Sequence, residues 1–407
     1  MGEILFLAHR IPWPADRGDK IRSHHILRHL AGIAPVHVGA FADDDRDMGF
    51  VAQMEPNFAS VHVEKRARPQ WRAGIEALRT GLPVSVASFA SGGMAAWVND
   101  LLGSGRISHV FVFSGQMAQY VPVSFGGKFI MDFVDVDSAK FESYAGEGNP
   151  AMRWVNKREG RMLSAFEHTT ARRADANLFV SETEAALFRQ RSGLDANRVM
   201  ALSNGIDTVS YDPDSDIPDA KRLPNGKLIM FTGQMDYRPN IEAVEDFARH
   251  AMPAIRKAHK DAKFVIVGRN PVDAARALAK LDGVVVTGAV DDVRSWLKAA
   301  SVVVAPLRIA RGIQNKVLEA MAMAKPVVAS AAAAEGIDAQ HEEHFQVAQN
   351  IDEEISQVCS LLADPGGAKR LGARARSHVV AQYGWDRQLA LLDEIMDAQP
   401  ALVEAAE

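Results

Sequence analysis

The sequence predicts an α/β protein of two doubly wound, parallel-sheet, Rossmann-like domains, and three observations carry that prediction. At 407 residues and 47% hydrophobic content, the chain is too long for a single core. Short apolar runs of strand length recur along both halves, separated by longer segments of helical periodicity. A turn-rich acidic stretch from Tyr211 to Asp219 leads to Pro224-Asn225-Gly226 ahead of a fresh strand. The domains are accordingly placed at residues 1–222 and 223–407. The last helix, about 385–398, is a candidate to pack back on the first domain.

In chain order, the first strand is Ile4–Ala8. The early Glu3 and the His9-Arg10 that follows the apolar run do not suit a signal peptide, which needs a basic start and a longer apolar stretch. Val36–Phe41, Val110–Phe113, Phe129–Phe133, Ala176–Val180 and Val199–Leu202 read as the remaining strands of the first domain. Leu228–Thr232, Lys263–Val267, Val284–Thr287, Ser301–Pro306 and Pro326–Ala329 read as those of the second, with helices at Glu242–Ala258 and Gln314–Ala324. No run approaches the ~18 to 20 apolar residues of a membrane span.

The formal charge of −5, from 46 basic and 51 acidic residues, provides no global cationic field for a nucleic-acid backbone, so no nucleic-acid partner is expected. The single Cys359 excludes an intramolecular disulfide and a cysteine-built metal site, which fits a reducing, cytoplasmic compartment.

The sharpest chemical signal is Pro306 to Ala329. A buried strand ends at Pro306, a polar loop carries Arg311 and Gly312, and a helix begins near Gln314. The free N–H groups and aligned dipoles of that helix start favour an anion, and a glycine lets a phosphate approach the backbone. Lys316 adds a mobile positive charge, and Glu319 lies one turn further along the same face, where a carboxylate can accept two hydrogen bonds from a ribose diol. The alternative is an ordinary surface Lys–Glu pair. A second strand-to-glycine-turn-to-helix unit runs from Leu228 through Gly233 and Gln234 to Arg238 and Asn240, where open α/β sheets place their ligands. The planar fork of Arg238 suits a diphosphate; otherwise it pairs with Asp236 or caps the loop.

These segments, with Asn204-Gly205-Ile206-Asp207 and Val265-Ile266-Val267-Gly268, resemble retaining GT-B glycosyltransferases of family 4 along nearly the whole chain. Phe231 to Asn240 and Asp132 to Ser138 resemble more narrowly the sugar transferases of exosortase (PEP-CTERM) exopolysaccharide systems. The resemblance implies two Rossmann-like domains facing across a cleft, with a nucleotide-diphosphate sugar as co-substrate in the second and a glycan or lipid-linked acceptor on the first. It implies a donor site of Gly233, Gln234, Arg238, Arg269, Arg311, Gly312, Ile313, Gln314, Asn315, Lys316 and Glu319, in which Glu319 holds the ribose and Lys316 and Arg238 neutralise the diphosphate. No cofactor and no metal are implied, because helix dipole and cations replace Mg²⁺.

The chain departs from the family pattern at three places. Gln234 stands where many relatives have a cation. Arg311 stands eight residues before Glu319, where many have a second glutamate, so it is read as a third cation on the diphosphate or on an acidic sugar, or as a sign of a degenerate site. Gly18-Asp19 replaces a Gly-Gly loop; there Arg17, Gly18, Asp19, Lys20 and Arg22 are candidates for an acceptor phosphate or form a solvated helix start. Asp135 is the candidate to orient the acceptor hydroxyl, and Asp137 lies beside it; Asp132, Asp135 and Asp137 would repel one another if buried without cations. His24, His25 and His29 read as surface residues. Two basic stretches, Lys65, Arg66, Arg68, Arg72 and Arg79 around Trp71 and Arg153, Lys157, Arg158, Arg161, Arg172 and Arg173 around Trp154, suit peripheral contact with an anionic inner-membrane face or form solvated helix faces. The rival functions are a nucleotide-sugar 2-epimerase on the same fold and a non-catalytic partner subunit.

Overall fold

The computed structural model describes residues 2–15, 17–66, 74, 77, 79–144, 150–310 and 313–397. Among them, β1 (Glu3–Ala8), β2 (Val36–Ala42), β3 (Ser60–Lys65), β4 (Ile107–Phe113), β5 (Lys128–Val134), β6 (Ala176–Phe179) and β7 (Val199–Ala201) form one parallel sheet in the order 3-2-1-4-5-6-7. A second parallel sheet contains β8 (Leu228–Thr232), β9 (Lys263–Val267), β10 (Val284–Gly288), β11 (Val302–Ala305), β12 (Val327–Ser330) and β13 (Gln346–Ala348) in the order 10-9-8-11-12-13. Both orders reverse direction beside their first strand, between β1 and β4 and between β8 and β11, which opens a ligand crevice at the carboxyl ends there.

The central strands are predominantly apolar because helices cover both faces of a parallel sheet, with Asp132 on β5 and Asn177 on β6 among the buried polar exceptions. Phe6 stacks on Phe111 at 5.6 Å in the first core, and Phe247 packs on Phe264 at 4.8 Å in the second. The edge strands β3 and β13 escape the apolar-run criterion. The first alternates polar and apolar residues and is half exposed along its length, and the second has only three residues. The helix expected at Glu242–Ala258 starts earlier and is interrupted. It runs as Arg238–Asp246, widens over Phe247–Ala251 and resumes at Met252–Ala258, where Pro253 has no N–H to continue the ladder.

The chain divides into one unit of residues through Asn204 together with those from Gln388 onward, and a second of Gly205–Arg387. This moves the expected boundary at 222 back to 204, because the acidic stretch is bound into the second unit. Arg376 donates to the Tyr211 carbonyl at 2.9 Å and pairs with Asp212 at 2.8 Å, and Lys298 donates to the carbonyl of the buried Ile217 at 3.1 Å. At the other end, the helix Trp385–Ile395 carries Asp393, which pairs with His29 at 2.9 Å within the first unit. The residues after Asp397 lie outside the described set.

Candidate functional site

In the second unit, β8 ends at Thr232 and the chain turns at Gly233 before the helix Arg238–Asp246. Two glycines let this turn lie flat on the sheet edge. A Cβ on Gly268 would stand 1.7 Å from the Gly233 carbonyl oxygen, and one on Gly233 would stand 2.8 Å from Asn240 Nδ2. The Gly233 N–H donates to the Val267 carbonyl at 3.0 Å, and the Met235 N–H to the Arg269 carbonyl at 2.9 Å. Asn240 is buried and acts in both directions. Its Nδ2 donates to the Gln234 carbonyl at 2.9 Å, and its Oδ1 accepts from Lys316 Nζ at 2.6 Å.

Lys316 lies in the first turn of the helix Asn315–Ala322, whose start is at the carboxyl edge beyond β11. Its ammonium also stands 4.4 Å from the centre of the Phe231 ring, a cation–π contact. Burial lowers its pKa to about 8, against the opposing pull of Glu319. Burial likewise raises Glu319 to about 7, offset in part by Lys316 and by a hydrogen bond with Tyr211. The two sequence-predicted residues thus lie one turn apart on one helix at the edge of the sheet, without a direct ion pair between them among the described contacts. Asn240 holds Lys316, and Tyr211 hydrogen-bonds Glu319. The sequence places Asn240 at a helix start after a glycine turn, the local signal for its role, whereas Tyr211 lies in the turn-rich acidic stretch, where nothing local points to Glu319.

The remaining predicted donor residues are less engaged. Arg238 is 87% exposed and pairs with Glu242 at 2.7 Å, neither joined to Lys316 nor paired with Asp236. Asp236 instead accepts from Asn270 at 3.1 Å. Gln234, Arg269 and Asn315 are exposed, and Ile313 and Gln314 are half-buried just before the helix. Arg311 and Gly312 lie outside the described residues.

In the first unit the structure sorts the charged residues differently from the sequence. Lys20 is buried and bound to Asp47 at 2.6 Å, and Arg22 is buried against Asp132 at 2.9 Å and donates to the Leu202 carbonyl at 2.6 Å. Both act as structural pairs, so neither is available to an acceptor phosphate as expected. Asp135 pairs with Lys140 at 2.7 Å, and Asp137 lies 3.3 Å from the same ammonium; burial raises Asp137. The three acids are thus accommodated by cations. Asp19 is held well below the usual carboxylate range by His9 and Arg10, against the cost of its own burial. Gly18 begins the helix Gly18–Ile33, with Arg17 at its N-cap. His24 and His29 are not plain surface residues: the first packs on Trp13 at 4.3 Å and the second pairs with Asp393.

Of the basic stretches, Lys65 pairs with Asp45 at 2.6 Å, while Arg68, Trp71 and Arg72 lie outside the described residues. In the helix Pro150–Arg173, Arg158 and Arg173 turn inward to the carbonyls of Ala77 and Val121, whereas Trp154 is 62% exposed. Among the described residues, no helix is long and apolar enough to cross a membrane.

Residues 226–364 match the family described as glycosyl transferases group 1. The chain is 28% identical over 246 residues to the GDP-mannose-dependent α-(1-6)-phosphatidylinositol monomannoside mannosyltransferase of Mycobacterium tuberculosis, covering 56% of this chain and 63% of that protein. It thus spans just under two thirds of the length of the curated relatives it matches. Among solved structures it resembles Anabaena Alr3699/HepE in complex with UDP, with a TM-score of 0.64, 14% identity and coverage of 97% of this chain and 99% of that one. It also resembles WaaG, a glycosyltransferase involved in lipopolysaccharide biosynthesis, with a TM-score of 0.59, 17% identity and coverage of 97% and 99%. At these identities the structural likeness establishes the fold, which is GT-B: two parallel-sheet, Rossmann-like domains.

Proposed function

We propose that this chain, whose residues 226–364 form a group 1 glycosyltransferase domain, moves a sugar from a nucleoside-diphosphate sugar to a hydroxyl of a glycan acceptor. One observation carries the reading: Lys316, fixed by Asn240 at 2.6 Å, and Glu319 one turn on stand at the carboxyl edge of the second sheet beside the Gly233 turn. That arrangement suits a donor. The ammonium and helix start take the diphosphate, and the carboxylate accepts from the ribose. As the phosphate leaves, its growing charge is stabilised by Lys316 and by Arg238, whose exposed side chain can turn from Glu242 to the ligand. The mannosyltransferase relative uses GDP-mannose and the HepE structure holds UDP, so both bases belong in any screen.

The finer reading is a retaining, metal-independent family 4 enzyme of exopolysaccharide assembly, working on a lipid-linked acceptor from the cytoplasmic face of a membrane. It is supported by the motif residues Gly233 to Asn240 and Asp132 to Ser138, and by the exposed Trp154 among Arg153, Lys157 and Arg161. Asp135 is the acceptor-orienting candidate, just after β5.

The test is a thermal-shift screen with UDP, GDP and their sugar conjugates, since a ligand that binds only the folded state raises the melting temperature. A shift with one diphosphate that disappears in Glu319→Ala supports the donor site and names the base. No shift with any of them, or an undiminished shift in the variant, overturns it.

A further inference from the structure

Three arginines in the first unit converge on one carboxylate. Arg10 Nε and Arg17 Nη2 each lie 2.8 Å from Asp43 Oδ2, and Arg66 Nη2 lies 3.3 Å from Asp43 Oδ1. They come from three places: the loop after β1, the N-cap of the helix Gly18–Ile33 and the residue just after β3. Asp43 itself follows β2, so the group gathers at the carboxyl edge of β1, β2 and β3.

Among the described residues, the carboxylates that pair with these arginines are Asp43 and Asp19; Asp19 accepts from Arg10 at 2.7 Å and lies 3.3 Å from Arg17 Nε. Among the described residues, these three guanidinium groups meet Asp43 and Asp19, and each guanidinium carries five N–H donors, more than the two carboxylates can accept. Asp43 Oδ2 already serves two of them. Arg17 Nε has no hydrogen-bond partner despite its nearness to Asp19. Of the neighbouring described acids, Asp45 pairs with Lys65 and Asp47 with Lys20, while Asp44 caps the next helix turn at the Asp47 N–H.

The helix beside the cluster adds to this. Arginine at the N-cap has no oxygen to accept from the first-turn N–H groups, and the side chain makes no capping bond. A 16-residue helix therefore points its positive end, without an N-cap acceptor, at a group of forks already rich in donors. Arg66 is further steadied over the Phe89 ring at 5.4 Å. Its exposure of 37% and that of Arg17 at 40% leave both forks open to solvent.

We propose that Arg10, Arg17 and Arg66 form a phosphoryl-binding subsite on the first unit, so that the acceptor carries a phosphate near the hydroxyl that receives the sugar. The anion site stands on geometry alone; its assignment to the acceptor rests on the transferase reading above. Planar guanidinium forks favour a phosphate's several oxygens over a single point charge.

The experiment is calorimetric titration of the full chain with glycerol 1-phosphate, and co-sedimentation with phosphatidylglycerol vesicles against phosphatidylcholine controls. Arg17→Gln and Arg66→Gln should each weaken binding roughly tenfold, the loss expected from one charge-assisted contact. Arg249→Gln, at an exposed arginine of the second unit paired with Glu245, should leave it unchanged. Glycerol 1-phosphate binding marks a soluble phosphorylated acceptor; vesicle binding lost in the same variants marks a lipid-borne one. No binding by the wild type to either probe, or binding undiminished in both arginine variants, overturns the subsite. Loss in Lys316→Met alone also overturns it, by locating the anion in the second unit. Nucleotide binding by the same variants tests the donor reading separately.

Discussion

Lys316 and Asn240 are joined by a 2.6 Å hydrogen bond across 76 residues of sequence, and that bond aims the ammonium at the edge of the second sheet. The lysine gives up part of its hydration to sit there, which is why its pKa falls to about 8. Without Asn240 the ammonium would be free to swing away from the position that a diphosphate requires.

Asn240→Ala is therefore expected to lower transfer 10- to 100-fold, roughly 1.4 to 3 kcal/mol of transition-state stabilisation. Steady-state kinetics with the donor identified by thermal shift would measure it. An unchanged kcat/KM would show that Lys316 does not depend on its partner.

Donor affinity should form a narrow band in pH. Glu319 accepts from a ribose only when ionised, so affinity is lost as pH falls through about 7. Lys316 attracts a diphosphate only when protonated, so affinity is lost as pH rises through about 8. Nucleotide Kd measured across this range should give a bell. Glu319→Gln should flatten its acid limb, and Lys316→Arg should move the alkaline limb upward.

Gly268→Ala places a methyl carbon 1.7 Å from the Gly233 carbonyl, so the turn must shift or the strand must separate. A stability loss of about 1–3 kcal/mol is expected, together with loss of the nucleotide-dependent rise in Tm. Chemical denaturation with and without nucleotide would separate the two effects.

Arg22 and Asp132 form a pair with 1% and 0% exposure, distant from any diphosphate role. Arg22→Met should cost about 3–5 kcal/mol by leaving the carboxylate buried alone, and Arg22→Met combined with Asp132→Leu should recover much of it. Urea midpoints of the three variants would decide. An additive double variant would contradict a coupled pair.

Arg238→Ala should raise the donor KM while leaving Tm unaltered, because the side chain is 87% exposed and its pair with Glu242 lies in water. An unaltered KM would remove Arg238 from the donor site.

Period and turn chemistry in the sequence determined the strands, their parallel alternation with helices, the Gly233 turn, and the placing of Lys316 and Glu319 on one helical face. These are relations between neighbours, governed by backbone geometry within a few residues. The tertiary structure decided which charges are available. Lys20 and Arg22 lie in the same charged run as Arg17, and nothing local distinguishes them. They differ because sheet order brings Asp47 and Asp132 to the first two, at separations of 27 and 110 residues, and buries both pairs. The same distant pairing gathered Arg10, Arg17 and Arg66 on Asp43, gave Lys316 its Asn240, and drew the stretch after Asn204 into the second unit through Arg376. Burial and strand order are collective properties of the folded chain, so the local pattern fixes which residues can form a site, and packing selects those that do.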